Sequence, residues 1–367
     1  MKVLVKKTTN LKENVREIFS EFPTLKKLKN KKVVIKPNWV SPRKSDTGVT
    51  TDFKLVEQVI VQLKKGGAKI VIAESAGYDF DPRETFRILG TDYFTKKYKV
   101  PILDTRDCPT KTVNIDGKVL KKIKVPREIL GVDLIFNLPK LKTHMLTGVS
   151  FSLKNLLGLL PLEERRKAHT LGIHQAIVDL GKFFKKTAVI VDGLTAMGGC
   201  GPVFGDVIRP QVLIASESAL AADLACCKIL KINFKKIDHL RLAREQMEFD
   251  GLEIEGIRDF KIKKFDLPKV SIIYRGIYRS IFVLEEILSP FFKKSIVAWA
   301  VTRFGTMPFI LREKVKDKKE LIRICPVRAI GDDLEINFEK CRFVRCLRCY
   351  DKFPQAVRLK GFSKPSE

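Results

Sequence analysis

The stretch from residue 32 to residue 77 decides the fold, because it holds two short β-branched runs on either side of one helix-like segment. The first run is KVVIK (32–36), which ends at Pro37-Asn38, and the second is KIVIA (69–73). Between them FKLVEQVIVQLKKG (53–66) has apolar residues at helical spacing and ends at a Gly-Gly pair, a helix-stop signal. This order predicts parallel strands joined by a crossover helix.

The same alternation continues over the first two-thirds of the chain. Further strand-like runs are VDLIFN (132–137), AVIV (188–191) and QVLIA (211–215), the last followed by a helix of small residues. Near-continuous apolar strands are typical of a parallel sheet that is covered on both faces. We therefore predict an α/β fold over residues 1–235, a mostly parallel sheet with helices on both faces. Residues 236–315 are interpreted as a helical or linker region, and 316–367 as a small α+β ferredoxin-like module.

The chain is strongly basic. Its 367 residues include 70 Lys and Arg against 42 Asp and Glu, a net charge of +28, and 45% are hydrophobic. The hydrophobic share is that of a globular protein, and the charge suits an anionic partner without selecting one. Nucleic-acid binding is one hypothesis on charge alone. It ranks last, since interleaved aromatic platforms and a recognisable binding motif are both missing.

No segment of 18 uninterrupted apolar residues occurs, so no spanning helix is expected. The start, MKVLVKKTTN, lacks the apolar core of a signal peptide, and the predicted compartment is the cytoplasm. The segment 280–302 is apolar but broken by charges and by Pro290, which indicates two short amphipathic helices. A bracing element or lid is the favoured interpretation, and peripheral membrane contact is the alternative.

Four of the eight cysteines lie in the last 43 residues: Cys325, Cys341, Cys346 and Cys349. Two-cluster bacterial ferredoxins carry two cysteine runs in which the fourth Cys of each run ligates the other cluster. The positions where further cysteines would stand in that pattern hold Val315, Lys318, Leu321 and Phe353. All four missing ligands belong to one cluster, and all four retained cysteines belong to the other. The tail therefore predicts a ferredoxin-type module that has kept one [4Fe–4S] cluster.

Other metal groups stay open because the spacing departs from that pattern. Cys341 to Cys346 is C-x4-C, which with Cys349 also matches the plant-type [2Fe–2S] spacing, although no fourth Cys follows. Zinc is the main competitor, because four thiolates suit a tetrahedral ion. Arginines interleave these cysteines, and they predict a basic face for an acidic electron carrier such as a ferredoxin: Arg342, Arg345 and Arg348.

Polar side chains follow the predicted strands, where open α/β sheets bind their ligands. Lys, His, Asn and Arg at such a sheet edge predict a cationic pocket for a carboxylate or phosphate, with possible general acids. We assign catalytic roles to three residues: His144, His169 and Lys154. We assign substrate binding to seven others: Lys36, Asn38, Lys142, Asn155, Arg165, Asp192 and Gly193.

Several of these residues lie in ordered motifs: KPNWV (36–40), IAESAG (72–77), LPKLKTH (138–144), SLKNLLGLLP (152–161) and VDGLTAMGGCGPVFG (191–205). Together they resemble the DUF362 family, a domain of unknown function that is often fused to a ferredoxin-type iron–sulfur module. The resemblance covers roughly residues 30–235. The resemblance implies that these positions are the important ones in the family pattern: Lys36, Asn38, Lys142, His144, Lys154, Asn155, His169, Asp192 and Gly193.

Two further functional hypotheses follow from the cysteine-rich tail and the cationic pocket taken together. In the first, a redox enzyme passes electrons from an external carrier through one cluster to an anionic small molecule in the pocket. Losing one of two clusters favours a single relay beside the pocket. In the second, the protein is a non-catalytic electron-transfer or iron–sulfur docking protein.

Overall fold

Strands and helices alternate through the computed structural model, which describes residues 1–78, 80–256, 262, 265–268, 280–281, 283–284 and 307–360. Most of the segment 280–302 lies outside the described residues. None of the described helices is long and apolar enough to cross a membrane.

The first half of the chain contains these elements: β1 (Lys2–Lys7), α1 (Leu11–Glu21), α2 (Pro23–Lys26), β2 (Lys32–Lys36), α3 (Phe53–Lys65), β3 (Lys69–Glu74), α4 (Pro82–Leu89), α5 (Asp92–Tyr98), β4 (Ile102–Asp104), β5 (Thr110–Asn114), β6 (Lys122–Pro126), β7 (Leu134–Asn137), β8 (Lys140–His144), β9 (Gly148–Val149), α6 (Ser152–Asn155) and α7 (Leu162–Phe183). The second half contains these: β10 (Thr187–Gly198), β11 (Asp206–Ile208), β12 (Val212–Ser216), α8 (Ala219–Ile229), α9 (Asp238–Gln246), β13 (Glu253–Gly256), β14 (Met307–Ile310), α10 (Lys318–Arg323), α11 (Phe338–Val344), α12 (Arg348–Lys352) and β15 (Val357–Lys360).

One large sheet runs in the order β13-β1-β12-β10-β7-β2-β3-β4. All neighbours along this path are parallel except β12, which is antiparallel to both β1 and β10. The α/β fold class predicted from the sequence is confirmed. Strand β12 is reversed because β10 reaches it through β11 with no intervening helix, and a parallel return needs a longer crossover.

Strand β2 shows why helices cover both faces of the sheet. Val33 and Ile35 pack in one cluster with apolar residues of α3, including Ile60. Val34, between them in the chain, packs in a different cluster with Leu156 and Ala176 of the α6–α7 region. Successive side chains of a strand point to opposite faces, so a continuous apolar run such as VVI must be covered twice.

A buried ion pair joins β8 to β10. Lys140 Nζ lies 2.9 Å from Asp192 Oδ2, and neither side chain is exposed to solvent. The same carboxylate accepts the N–H of Asp52, the residue that caps α3, at 2.7 Å and the N–H of Leu194 at 3.0 Å. Asp192 therefore ties two strands and the start of a helix together.

Removing one partner of this pair should be strongly destabilising. Lys140→Met is expected to lower the free energy of unfolding by about 3–5 kcal/mol, because a buried carboxylate is left without its counter-charge. Denaturant unfolding measures the loss. Lys96→Met is the control, since it removes an exposed ion pair with Asp92 and should have little effect. Equal effects of the two substitutions would contradict the prediction.

Residues 307–360 form a second, smaller unit. Strands β14 and β15 pair antiparallel, with α10, α11 and α12 between them, and Ile330 and Ile336 form a short antiparallel bridge. The unit contacts the large sheet domain. Arg43 forms an ion pair with Asp351, and Arg348 Nη2 donates to the carbonyl oxygen of Ile88 in α4 at 2.5 Å.

Candidate functional site

A cleft of about 180 Å³ lies at the carboxyl ends of β2, β3 and β8. Its walls come from the segments that follow these strands and from α6 and α7. The lining includes seven residues that the sequence singled out: Lys36, Asn38, His144, Lys154, Asn155, Arg165 and His169. The sheet topology therefore brings together residues that lie up to 133 positions apart in the chain.

The floor of the cleft holds a buried ion pair between adjacent strand ends. Lys36 Nζ lies 2.7 Å from Glu74 Oε2, and both side chains are at most 3% exposed. Glu74 also accepts the backbone N–H groups of Trp39 at 2.8 Å and Ser75 at 2.7 Å. Both carboxylate oxygens are thus occupied, and Lys36 is electrically compensated.

Gly158 makes room for this ion pair. A Cβ atom at this position would lie 3.0 Å from both Lys36 Nζ and Glu74 Oε1. This close approach explains why the motif SLKNLLGLLP has a glycine, which lacks a Cβ atom, between its leucines.

Amide side chains and a second buried lysine lie beside the cleft. Lys142 Nζ donates to Asn38 Oδ1 at 2.7 Å and to the carbonyl oxygen of Val49 at 2.6 Å. Asn38 donates to Asn155 Oδ1 at 2.9 Å, and Asn155 donates to Asn137 Oδ1 at 2.7 Å. Burial, followed by the charge of Lys154, lowers the pKa of Lys142 well below its usual value. Its two hydrogen bonds make Lys142 a positioning residue for Asn38.

Lys154 and Arg165 are the cations that remain uncompensated. Within the described part of the chain, Lys154 Nζ has neither a hydrogen-bond acceptor nor a carboxylate partner. Burial, with the charges of Arg165 and Lys36, lowers the pKa of Lys154 to about 8. Arg165 donates, in the same part of the chain, to two neutral acceptors, the carbonyl oxygen of Ala76 at 3.0 Å and Ser75 Oγ at 2.9 Å.

Both histidines of the cleft are neutral at pH 7. His144 Nδ1 accepts the N–H of Leu146 at 3.2 Å, so the proton of its neutral ring is on Nε2. Burial and the charge of Lys154 lower the pKa of His144 far below its usual value and that of His169 to about 3. Neither imidazole holds a second proton near pH 7. Of the three residues predicted to be catalytic, Lys154 is the one with a proton to exchange there.

Asp192 and Gly193 do not line the cleft, in contrast to the sequence prediction. The Asp192 carboxylate is held by Lys140 and by two backbone N–H groups in the interior. Gly193 packs against β12, where a Cβ atom would lie 2.7 Å from the carbonyl oxygen of Val212. Strand β10 continues inside the sheet to Gly198, so its middle residues are structural and do not form a strand end.

Sequence reasoning missed Asp223, which positions the helix that carries Lys154. Its carboxylate accepts the backbone N–H of Ser152 at 2.7 Å and of Leu153 at 3.0 Å, at the start of α6. Asp223 is fully buried in α8. A lone acidic residue in the apolar helix ALAADLACCKI was the available signal.

Asp223→Asn should loosen α6. The amide can accept with one oxygen only, so one buried N–H loses its acceptor, which costs about 1–3 kcal/mol. We expect lower stability in denaturant unfolding and weaker anion binding, because Lys154 lies on this helix. Asp116→Asn changes an exposed carboxylate and serves as the control. Unchanged stability of Asp223→Asn would contradict this role.

Anion binding in the cleft should depend on the protonation of Lys154. Only the ammonium form attracts an anion, so sulfate affinity should be flat below about pH 8 and should fall above it. His144 and His169 have lowered pKa values and stay neutral across that range. Isothermal titration with sulfate, which does not titrate there, measures this. The Lys154→Arg variant keeps its charge and should show no fall. A parallel fall in both proteins would contradict the assignment.

A second cavity, in the smaller unit, is lined by all four of the predicted metal-ligating residues: Cys325, Cys341, Cys346 and Cys349. Cys325 Sγ accepts the N–H of Ala329 at 3.1 Å. Burial raises the pKa of Cys346 to about 11 and of Cys341 and Cys349 to about 12. These thiols would become thiolates at neutral pH only with a bound cation or cluster. Among the described residues, no three His, Cys, Asp or Glu side chains converge closely enough to hold a single metal ion.

The longer C-x4-C spacing has a structural explanation. Cys341 lies inside helix α11. The residue before Cys346 and the residue after it both adopt left-handed backbone conformations, with φ 42° at Arg345 and 53° at Leu347. The two extra residues extend the helix, and the left-handed turns then return Cys346 and Cys349 to the cavity wall.

Three of the four positions that hold no cysteine are apolar and pack together. Leu321 and Phe353 are buried in one cluster, and Val315 packs against it. Lys318 is exposed. A hydrophobic core therefore occupies the side of the unit where those side chains meet.

The two cavities are in contact through side chains. The guanidinium of Arg345, which lines the cysteine cavity, lies 5.2 Å from the ring centre of Phe80, which lines the cleft. Ile88 of α4 packs directly against Cys346. Arg345 is buried, and Arg348 bonds to the α4 carbonyl of Ile88. These two arginines therefore face the large domain and do not form the solvent-facing basic surface that the sequence predicts.

Comparison with known proteins gave three findings. A family model described as a domain of unknown function, DUF362, matches residues 33–228. The thylakoid-associated protein sll1697 of Synechocystis sp. is 25% identical over 210 residues, which are 55% of this chain and 64% of that protein. The match thus spans less than two-thirds of the relative. A crystal structure of a Thermotoga maritima protein aligns with 67% of this chain and 60% of its own, at 16% identity and a TM-score of 0.39, too distant to support an argument.

Proposed function

Because the chain belongs to the DUF362 family, a domain whose function is unknown, we propose its activity from the site: an iron–sulfur redox enzyme acting on a small anionic substrate. The substrate would bind in the cationic cleft. The four cysteines of the smaller unit would hold one cluster, and an external acidic electron carrier would supply the electrons.

One observation carries this proposal: the four-cysteine cavity and the cationic cleft are neighbours, because a residue of one lining contacts a residue of the other. The contact between Arg345 and Phe80 joins their linings. A docking module with an unrelated pocket would have no reason to put the two side by side. Electron transfer between them, in contrast, requires proximity.

The residues around the cysteine cavity suit a [4Fe–4S] cluster. Four thiols surround one apolar cavity, and a backbone N–H donates to Cys325 Sγ, the kind of hydrogen bond that stabilises anionic cluster sulfur. When bound there, such a cluster would supply single electrons at the edge of the cleft. Zinc would need the four sulfurs to converge on one point. The apolar packing of Leu321 and Phe353 supports one cluster instead of two.

The chain's own residues would bind the substrate and hold its proton. Lys154 and Arg165 would attract the anionic group, and the Nε2–H of His144 would donate a hydrogen bond to it. Lys154, with a pKa of about 8, can give up a proton near neutral pH. The Lys36–Glu74 pair, already compensated, would keep the floor of the cleft rigid.

The test is anaerobic purification with iron, sulfide and zinc analysis and low-temperature EPR of the reduced protein. About four irons and four sulfides per chain are expected. Cys325→Ala should lose them, although this residue lies 16 positions before Cys341. Cys108→Ala, which changes a cysteine outside the cavity, is the matched control and should keep them.

Stoichiometric zinc without acid-labile sulfide would refute the cluster. Candidate oxidised anions are then mixed with the reduced protein. Reoxidation that the wild type shows and Lys154→Gln lacks, at equal iron content, supports an enzyme. Reoxidation by a carrier protein alone would instead favour the non-catalytic electron-transfer alternative.

A further inference from the structure

Among the described residues, the charged side chains of the cleft offer hydrogen-bond donors and one carboxylate that is already paired. Lys154 Nζ has no partner among the described residues, and the buried Arg165 Nε has none there either. His144 presents its Nε2–H, because its other ring nitrogen accepts from Leu146. Glu74, the one carboxylate among the described lining residues, already accepts hydrogen bonds on both oxygens. Such a lining selects a ligand group that only accepts hydrogen bonds, which is an oxyanion.

The charge of the cleft sets the charge of that oxyanion. Lys36 is paired with Glu74, and Lys142 lies outside the lining, where it donates to Asn38 Oδ1 and to the carbonyl oxygen of Val49. Asp104 acts on Arg165, but it also faces Arg106 and is offset by it. Among the described residues of the cleft, two positive charges remain without a carboxylate partner, Lys154 and Arg165. A monoanion would leave one of them desolvated without a counter-charge, which is unfavourable.

We infer that the cleft binds the dianionic phosphoryl group of a small phosphorylated substrate in preference to a carboxylate. The inference rests on the proposed function and names the substrate class of the same site. A phosphoryl group carries close to two negative charges at pH 7 and has three acceptor oxygens. These can meet donors from three directions, Lys154 on α6, Arg165 on α7 and His144 on β8, whereas a carboxylate offers two oxygens in one plane.

The cleft also has apolar lining that can contact the carbon part of the substrate. These side chains are Val40, Phe80, Leu157, Pro202 and Val203. Phe80 is also the residue that Arg345 contacts. With the phosphoryl group on Lys154, Arg165 and His144, Phe80 would offer the carbon skeleton an apolar contact next to the lining of the cysteine cavity.

Matched probes test the inference on the full chain, prepared anaerobically. Phenyl phosphate and benzoate share a ring and differ in the anionic group, so isothermal titration at pH 7.5 isolates that group. Phenyl phosphate is expected to bind about tenfold or more tightly than benzoate. Lys154→Gln should weaken phenyl phosphate binding by about 10- to 100-fold, since it removes a charged hydrogen bond. Lys154→Arg should retain most of the affinity.

Lys111→Gln, a change of an exposed lysine on β5 outside the cleft, is the control and should bind as the wild type does. Unfolding curves of all variants check that they fold. Equal or tighter binding of benzoate, no binding of either probe, or phenyl phosphate binding that survives Lys154→Gln would each overturn the inference.

Iron and sulfide content, measured on the same samples, separates this inference from the redox proposal. Selective phenyl phosphate binding by a protein without a cluster would refute the redox enzyme and leave the phosphoryl site standing. A complete cluster together with a preference for benzoate would do the reverse.

Discussion

The Lys36–Glu74 ion pair is the interaction on which the rest of the site depends. It joins the carboxyl ends of two adjacent parallel strands in a place that water does not reach. Burying two charges is favourable only when both are fully hydrogen-bonded, and the N–H groups of Trp39 and Ser75 meet that requirement for Glu74. Because Glu74 is committed to Lys36, it cannot neutralise Lys154 or Arg165. The positive charge of the cleft is a consequence of that commitment.

The same logic explains why buried ionisable groups have different roles here. Asp192 is paired with Lys140, and Asp223 accepts two backbone N–H groups. Both carboxylates therefore hold strands or helices together. Lys142 donates to two neutral acceptors, Asn38 Oδ1 and the carbonyl oxygen of Val49, and so positions the amide side chains around Asn38. Lys154 has no hydrogen-bond acceptor and no carboxylate partner among the described residues. A buried charge without a partner is typical of a ligand-binding group.

The smaller unit brings the cysteine cavity close to the cleft. Helix α4, the loop that contains Phe80, and Arg43 form the surface on which it rests, and each contact involves a residue near a cysteine. Arg345 and Arg348, which interleave the cysteines, are used for this contact. The position of the cysteine cavity against the cleft is therefore set by packing between the two units. Phe80 belongs to both proposals, because it lines the cleft and contacts Arg345 of the cysteine cavity.

The sequence by itself determined the α/β class, the strands at 32–36 and 69–73, and seven of the residues that line the cleft. Apolar runs indicate burial, and polar residues at strand ends indicate a sheet edge. It did not determine which polar residues face outward. Asp192 and Lys154 are both charged residues beside apolar runs, yet one lies inside a continuing strand and the other on the cleft wall. Only the tertiary structure decided this, since burial and charge compensation depend on partners such as Lys140, Glu74 and Asp223 that lie far away in the chain.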